Sequence, residues 1–121
     1  MNYEDFVKFA INANKKNVIE PSHNYFSGLP QFYKKYDFVR VYLEFNDDDI
    51  HFIPLNEMDK YKKEYYLVDA DFIIATNNSD PIYLKTNKIY TCPHGIKEPK
   101  PELLFNSFDE FLEEIYKSER R

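Results

Sequence analysis

Tryptophan is absent from this 121-residue chain, cysteine occurs once and glycine only twice. Each shortage removes a class of explanation. With Cys92 alone, no intrachain disulfide can form, and a thiolate-rich zinc site is out of reach. With only Gly28 and Gly95, the glycine-rich loops that cradle phosphates are excluded. Apolar runs are short: Phe72 to Ala75 falls far below the roughly 20 residues that a membrane-spanning helix needs. The start, Met1-Asn2-Tyr3-Glu4-Asp5, lacks the basic beginning and apolar core of a secretory signal. From these shortages we expect a cytoplasmic protein with no membrane contact.

What the chain does contain is aromatic and acidic. Tyr and Phe number 11 each, so a small core can be built from a few large, flat side chains. Tyr is also enriched where proteins meet partners. Net charge is −5, and the acidic groups come in blocks. Asp47, Asp48, Asp49, Glu57 and Asp59 lie in one stretch without a Lys or Arg, and Asp69, Asp71 and Asp80 in another. Lys85, Lys88, Lys97 and Lys100 gather further on against Glu98. An acidic chain with scattered Lys is a poor nucleic-acid binder. It suits a basic protein partner, although solubility alone also explains an acidic surface.

The periodicity predicts one domain. Asn2 caps a first helix, with Asp5 three residues on, and Tyr3, Phe6, Val7 and Ala10 share a face. The helix stops near Asn14 to Asn17. A loop containing Pro21 and Gly28 follows, then a helical turn from Pro30 through Lys34. From Asp37 the period is two: Val39, Val41, Leu43 and Phe45 face one way, Arg40 and Glu44 the other. Asn46-Asp47-Asp48-Asp49 is a turn, and Ile50 to Ile53 the returning strand. Pro54 ends that strand and opens a helix through Leu55, Met58 and Tyr61 or Lys62. Phe72 to Ala75 is a strand covered on both faces. Asn77 to Asp80 turns the chain into a second hairpin, Pro81–Leu84 with Lys88–Thr91, around Thr86-Asn87. A proline-broken loop leads to a final helix, where Ser107 caps, Glu110 completes the capping box, and Phe108, Phe111, Leu112, Ile115 and Tyr116 form a stripe. The expected fold is α+β, a mainly antiparallel sheet of about five to six strands with N-terminal, middle and C-terminal helices packed on it.

No reactive constellation emerges. Cys92 and His94 flank Pro93, a spacing that fixes backbone and builds no Cys–His contact. His23, His51 and His94 are scattered with no pair at i, i+4, so no metal or other cofactor is expected. Consecutive Asp in a hairpin turn are usually solvated and lack the burial that raises an acid's pKa. They also lack the alternating ligands of a calcium loop.

Leu29-Pro30, the hairpin that follows and Pro54-Leu55-Asn56-Glu57-Met58 resemble the SUKH superfamily. So do Ser79-Asp80-Pro81-Ile82-Tyr83, Ile89-Tyr90, His94-Gly95 and Ser107-Phe108-Asp109-Glu110-Phe111-Leu112, so that the resemblance covers roughly residues 25 to 116. The family commonly has Asn-Gly after its early helical turn and Gly before the Asp of the second hairpin. Here Asp37-Phe38-Val39 and Ser79-Asp80 stand instead, which leaves the subfamily open. The resemblance implies an α+β fold and, for bacterial members, an immunity protein that binds and neutralises a toxin domain, often a nuclease. It supplies no catalytic residues. The charged contacts expected for a basic toxin are Asp47, Asp48, Asp49, Glu57, Asp59, Asp69, Asp71 and Asp80, with Tyr42, Tyr65 and Tyr66 as aromatic anchors. Two other readings stand beside this one: a housekeeping regulatory or scaffold module of the same fold, and a small metal-dependent hydrolase using His23, His51 and His94.

Overall fold

A computed structural model describes residues 1–23, 25–67, 69–93 and 100–119. The chain enters its first helix at Asn2, whose Oδ1 accepts the Asp5 N–H at 2.8 Å. This cap opens α1 (Tyr3–Ala13), which buries Phe6 and Ala10. Asn14 ends it. The next three residues bring the chain to Asn17, which is 5% exposed, and then to β1 (Val18–Pro21).

Six further strands follow: β2 (Tyr36–Phe45), β3 (Asp48–Phe52), β4 (Phe72–Asn77), β5 (Asp80–Lys85), β6 (Lys88–Thr91) and β7 (Glu102–Phe105). They form one seven-stranded sheet in which spatial order equals chain order and every neighbouring pair is antiparallel. Short 3₁₀ turns at Gln31–Lys34 and Leu55–Glu57 follow Pro30 and Pro54, and the second leads into α2 (Met58–Glu64). The last element is α3 (Phe108–Glu119). The α+β architecture is thus as expected.

Several local expectations need correction. The sheet has seven strands, because β1 replaces part of the expected loop and β7 part of the proline-broken one. Val39 is exposed, not buried with Val41 and Leu43. The β1–β2 register jumps here, with Val18 opposite Arg40 and Ile19 opposite Phe38. Val39 is therefore the extra residue of a β-bulge, and the strict alternation breaks at it. Asp48 and Asp49 lie within β3, leaving Asn46-Asp47 as the whole turn. At α3, Ser107 Oγ accepts the Glu110 N–H at 3.1 Å as expected, but the Glu110 carboxylate reaches back to the Asn106 N–H at 3.0 Å.

All three two-residue hairpin turns hold their central residues at positive φ: Asn46 and Asp47, Asn78 and Ser79, Thr86 and Asn87. That is the type I′ geometry that matches strand twist, normally supplied by glycine. Five of the six are Asn, Asp, Ser or Asn-like short side chains that tolerate it by bonding locally; Thr86 is β-branched and its N–H is held by Asp71 Oδ2 at 2.9 Å.

Side chains of adjacent strand residues point to opposite faces. Leu84 borders α3 at Phe108, whereas Tyr83 borders the segment after α2 at Tyr66 and Leu67. So α1 and α3 cover one face and α2 lies across the other, against β4. On the first face the core is a run of rings. Phe6 meets Phe32, Phe38 and Phe52 edge-on, Phe38 stacks on Phe52 at 4.3 Å, and Phe52 continues to Phe111 at 5.8 Å. Each such pair adds about 0.5–1.5 kcal/mol beyond burial. Tyr3 Oη donates to Asp109 Oδ1 at 2.6 Å, joining the first turns of α1 and α3.

Two substitutions test this core from opposite directions. Asn17 makes three hydrogen bonds, one buried and two part-buried: Nδ2 donates to Ala10 O and Tyr42 O, and Oδ1 accepts the Tyr42 N–H. Asn17→Ala strands those backbone groups and is expected to cost about 3 kcal/mol. Tyr33 is fully buried, and its hydroxyl has no hydrogen-bond partner among the described residues. Burial, with Asp37 adding to it, raises its pKa well above the ordinary tyrosine value. Tyr33→Phe is expected to raise stability by about 0.5–1 kcal/mol. Urea unfolding measures both, and a marked loss on Tyr33→Phe would show that the hydroxyl is engaged.

Candidate partner-binding surface

The outward face of the β2–β3 hairpin follows from its turn. Two central residues make Phe45 and Asp48 the first pair, so register places Glu44 opposite Asp49 and Tyr42 opposite His51. In an antiparallel ladder these alternate pairs are the ones not bonded to each other, where side chains stand closest. Tyr42 duly stacks on His51, with ring centroids 4.5 Å apart and planes 8° from parallel. Tyr42 remains 42% exposed. The alternate residues Val41, Leu43, Phe45, Ile50 and Phe52 are buried on the other face.

Glu44 and Asp49 place two carboxylates directly across the ladder, an arrangement that destabilises a sheet. They border a groove of about 370 Å³ that Ala13, Asn14, Tyr42 and Leu43 complete. Beyond it the hairpin tip adds Asp47 and Asp48. The β4–β5 tip lies alongside, because Asn77 Nδ2 donates to Asp49 O at 3.1 Å and the Asn78 N–H to the same oxygen at 3.4 Å. Asp80 belongs to that tip. Tyr65, just past α2, donates its hydroxyl to Ser79 O at 2.7 Å. Its pKa is raised, by burial first and then by charges that include Asp80.

Asp47, Asp48, Asp49 and Asp80 therefore gather at one end of the sheet, with Tyr42 on its outward face, Tyr65 bonded to the β4–β5 tip and Glu57 close enough to act on His51. The remaining candidates do not join them. Asp59 pairs with Lys63 on exposed α2 at 3.5 Å. Asp71 serves the β5–β6 turn at the opposite end of the strands. Asp69 and Tyr66 border a separate cleft of about 240 Å³ with Tyr83, Lys85, Tyr90 and Cys92. Glu44 and His51 were missed as members of the surface, although the period of two already put Glu44 on the outward side.

Among the described residues, no group of three or more His, Cys, Asp and Glu is arranged to hold a metal ion. His23 is exposed in the loop after β1 and His51 is committed to its stack. His94 and Gly95 lie outside the described residues. No helix among the described residues is long and apolar enough to cross a membrane.

His51 gives this surface a measurable signature. Burial lowers its pKa from 6.5, against a smaller upward pull from Glu57. Folding thus favours the neutral ring: its stabilising contribution is complete above about pH 6.5 and is lost as pH falls through the lowered folded value. NMR titration should find the midpoint below 6.5, and Glu57→Gln should lower it further; a midpoint above 6.5 contradicts this geometry. No family model matches the chain, and no curated protein or solved structure matches it.

Proposed function

We propose that this chain is a cytoplasmic immunity protein of the SUKH type, which neutralises a cognate toxin domain of basic charge by stoichiometric binding. The acidic end of the sheet, where Asp47, Asp48 and Asp49 meet the tip carrying Asp80 beside the Tyr42–His51 stack, is the observation that carries the reading. Carboxylates on rigid hairpin tips make a surface that resembles a phosphate backbone in charge. Such a surface can enter a nuclease cleft or cover its mouth. The residues of the resemblance also sit at structural corners. Leu29-Pro30 opens a 3₁₀ turn, Pro54 to Met58 leads into α2, Ser79 to Tyr83 turns into β5, and Ser107 to Leu112 starts α3.

Co-expression with a toxin encoded beside this gene tests the proposal. The expected outcome is a one-to-one complex and rescue of growth; absence of any such toxin, or of binding and rescue, overturns it. Neutralising Asp47, Asp48 and Asp49 together as Asn should slow association about tenfold or more at low salt and flatten its salt dependence. Thermal stability should hold, because all three side chains are exposed. Stopped-flow binding at two ionic strengths provides the measurement.

A further inference from the structure

We infer that Tyr66 is the aromatic anchor with which this protein grips its partner, a basic toxin domain; the inference rests on the immunity reading above. Helix α2 ends in a Schellman motif. The Tyr66 N–H donates to Lys63 O at 3.1 Å and the Leu67 N–H to Lys62 O at 3.0 Å. That motif puts the residue after the C-cap in the left-handed region, where glycine is usual because a Cβ is unfavourable there. Tyr66 occupies the position with φ +56°.

Its ring gains nothing visible in exchange. Among the described residues, Tyr66 is 87% exposed, nearly twice the value of the next large apolar side chain, Leu103 at 47%. A strained backbone and a bare aromatic ring both disfavour the free protein, and they coincide at one residue. Backbone strain of this kind concentrates at ligand clamps and switches. Tyr is also among the residues that dominate binding hot spots, since its rigid ring loses little freedom on contact.

The surroundings suit an apolar grip beside an acidic field. Leu67, Tyr83 and Tyr90 line the cleft that Tyr66 borders. Nearby charge is mixed, with Asp59 paired to Lys63, and Lys62, Asp69 and Lys85 adjacent. The preceding residue, Tyr65, is pinned to Ser79 on the tip that carries Asp80. That bond ties the end of α2 to the acidic tip, whose field draws a basic partner toward the sheet while Tyr66 stands over its own cleft.

Tyr66→Gly and Tyr66→Asn relieve the backbone and remove the ring, so stability and binding should move in opposite directions. The melting temperature should rise by about 2–6 °C. Affinity for the purified toxin domain should fall about thirtyfold or more, mainly through faster dissociation. Tyr66→Phe keeps the ring and should bind within about threefold of wild type. Glycine and asparagine variants that bind like wild type, or that melt several degrees lower, overturn the anchor while leaving the immunity reading intact. Failure of the wild-type protein to bind overturns both.

Discussion

Against Tyr42, the side-chain amide of Asn17 takes the place of a paired strand residue. It accepts the Tyr42 N–H at 2.9 Å and donates to the Tyr42 carbonyl at 3.0 Å, continuing the β1–β2 ladder one step beyond Val18. The same amide nitrogen ties down the Ala10 carbonyl in the last turn of α1. One buried group thus fixes the helix to the sheet and sets the direction of the Tyr42 backbone. With both polar groups of Tyr42 engaged on the β1 side, its partnership with His51 across β3 must be by side chains alone. The exposed ring stack is the outward expression of a buried amide.

Much of this architecture was legible in the residue order. Long, strongly periodic segments declared themselves: the stripe of Phe108, Phe111, Leu112 and Ile115 on a capped helix, and the alternation through Val41, Leu43 and Phe45. The four-residue strands did not. Val18–Pro21 and Glu102–Phe105 are too short for a period of two to stand out, and each is a strand only because an unpaired edge of β2 or β6 awaits it. The bulge at Val39 has the same origin, since it comes from pairing with β1 and not from the local pattern. The candidate surface was legible as charge but not as geometry. A run of carboxylates can be counted along the chain, yet only strand register brings the tip that carries Asp80 alongside Asp49 and carries Asp71 to the far end.

The shortage of glycine shapes the turns of the sheet. Three tight hairpins are built without glycine, so their left-handed turns fall to Asn, Asp, Ser and Thr. Polar turn residues place hydrogen-bonding groups and charge at the tips, and two of these tips form the acidic end. A sheet turned by Asn-Gly would be more relaxed and less charged there. The helix end at Tyr66 follows the same pattern of left-handed backbone without glycine, with a ring in place of a polar group.

The identity of spatial and sequential strand order has a kinetic meaning. Three of the six neighbouring pairs close over turns of two residues, and these hairpins form with little loop-closure entropy, while the other three join chain neighbours across longer connections. The seam between α1 and α3 is different in kind: Tyr3 and Asp109 are 106 positions apart. Their contact forms only after nearly the whole chain has been drawn into place. The helix pair therefore acts as a late clasp on a meander able to assemble piecemeal. The longest-range contact of this topology lies between two helices, whereas every strand pairs with its neighbours in the chain.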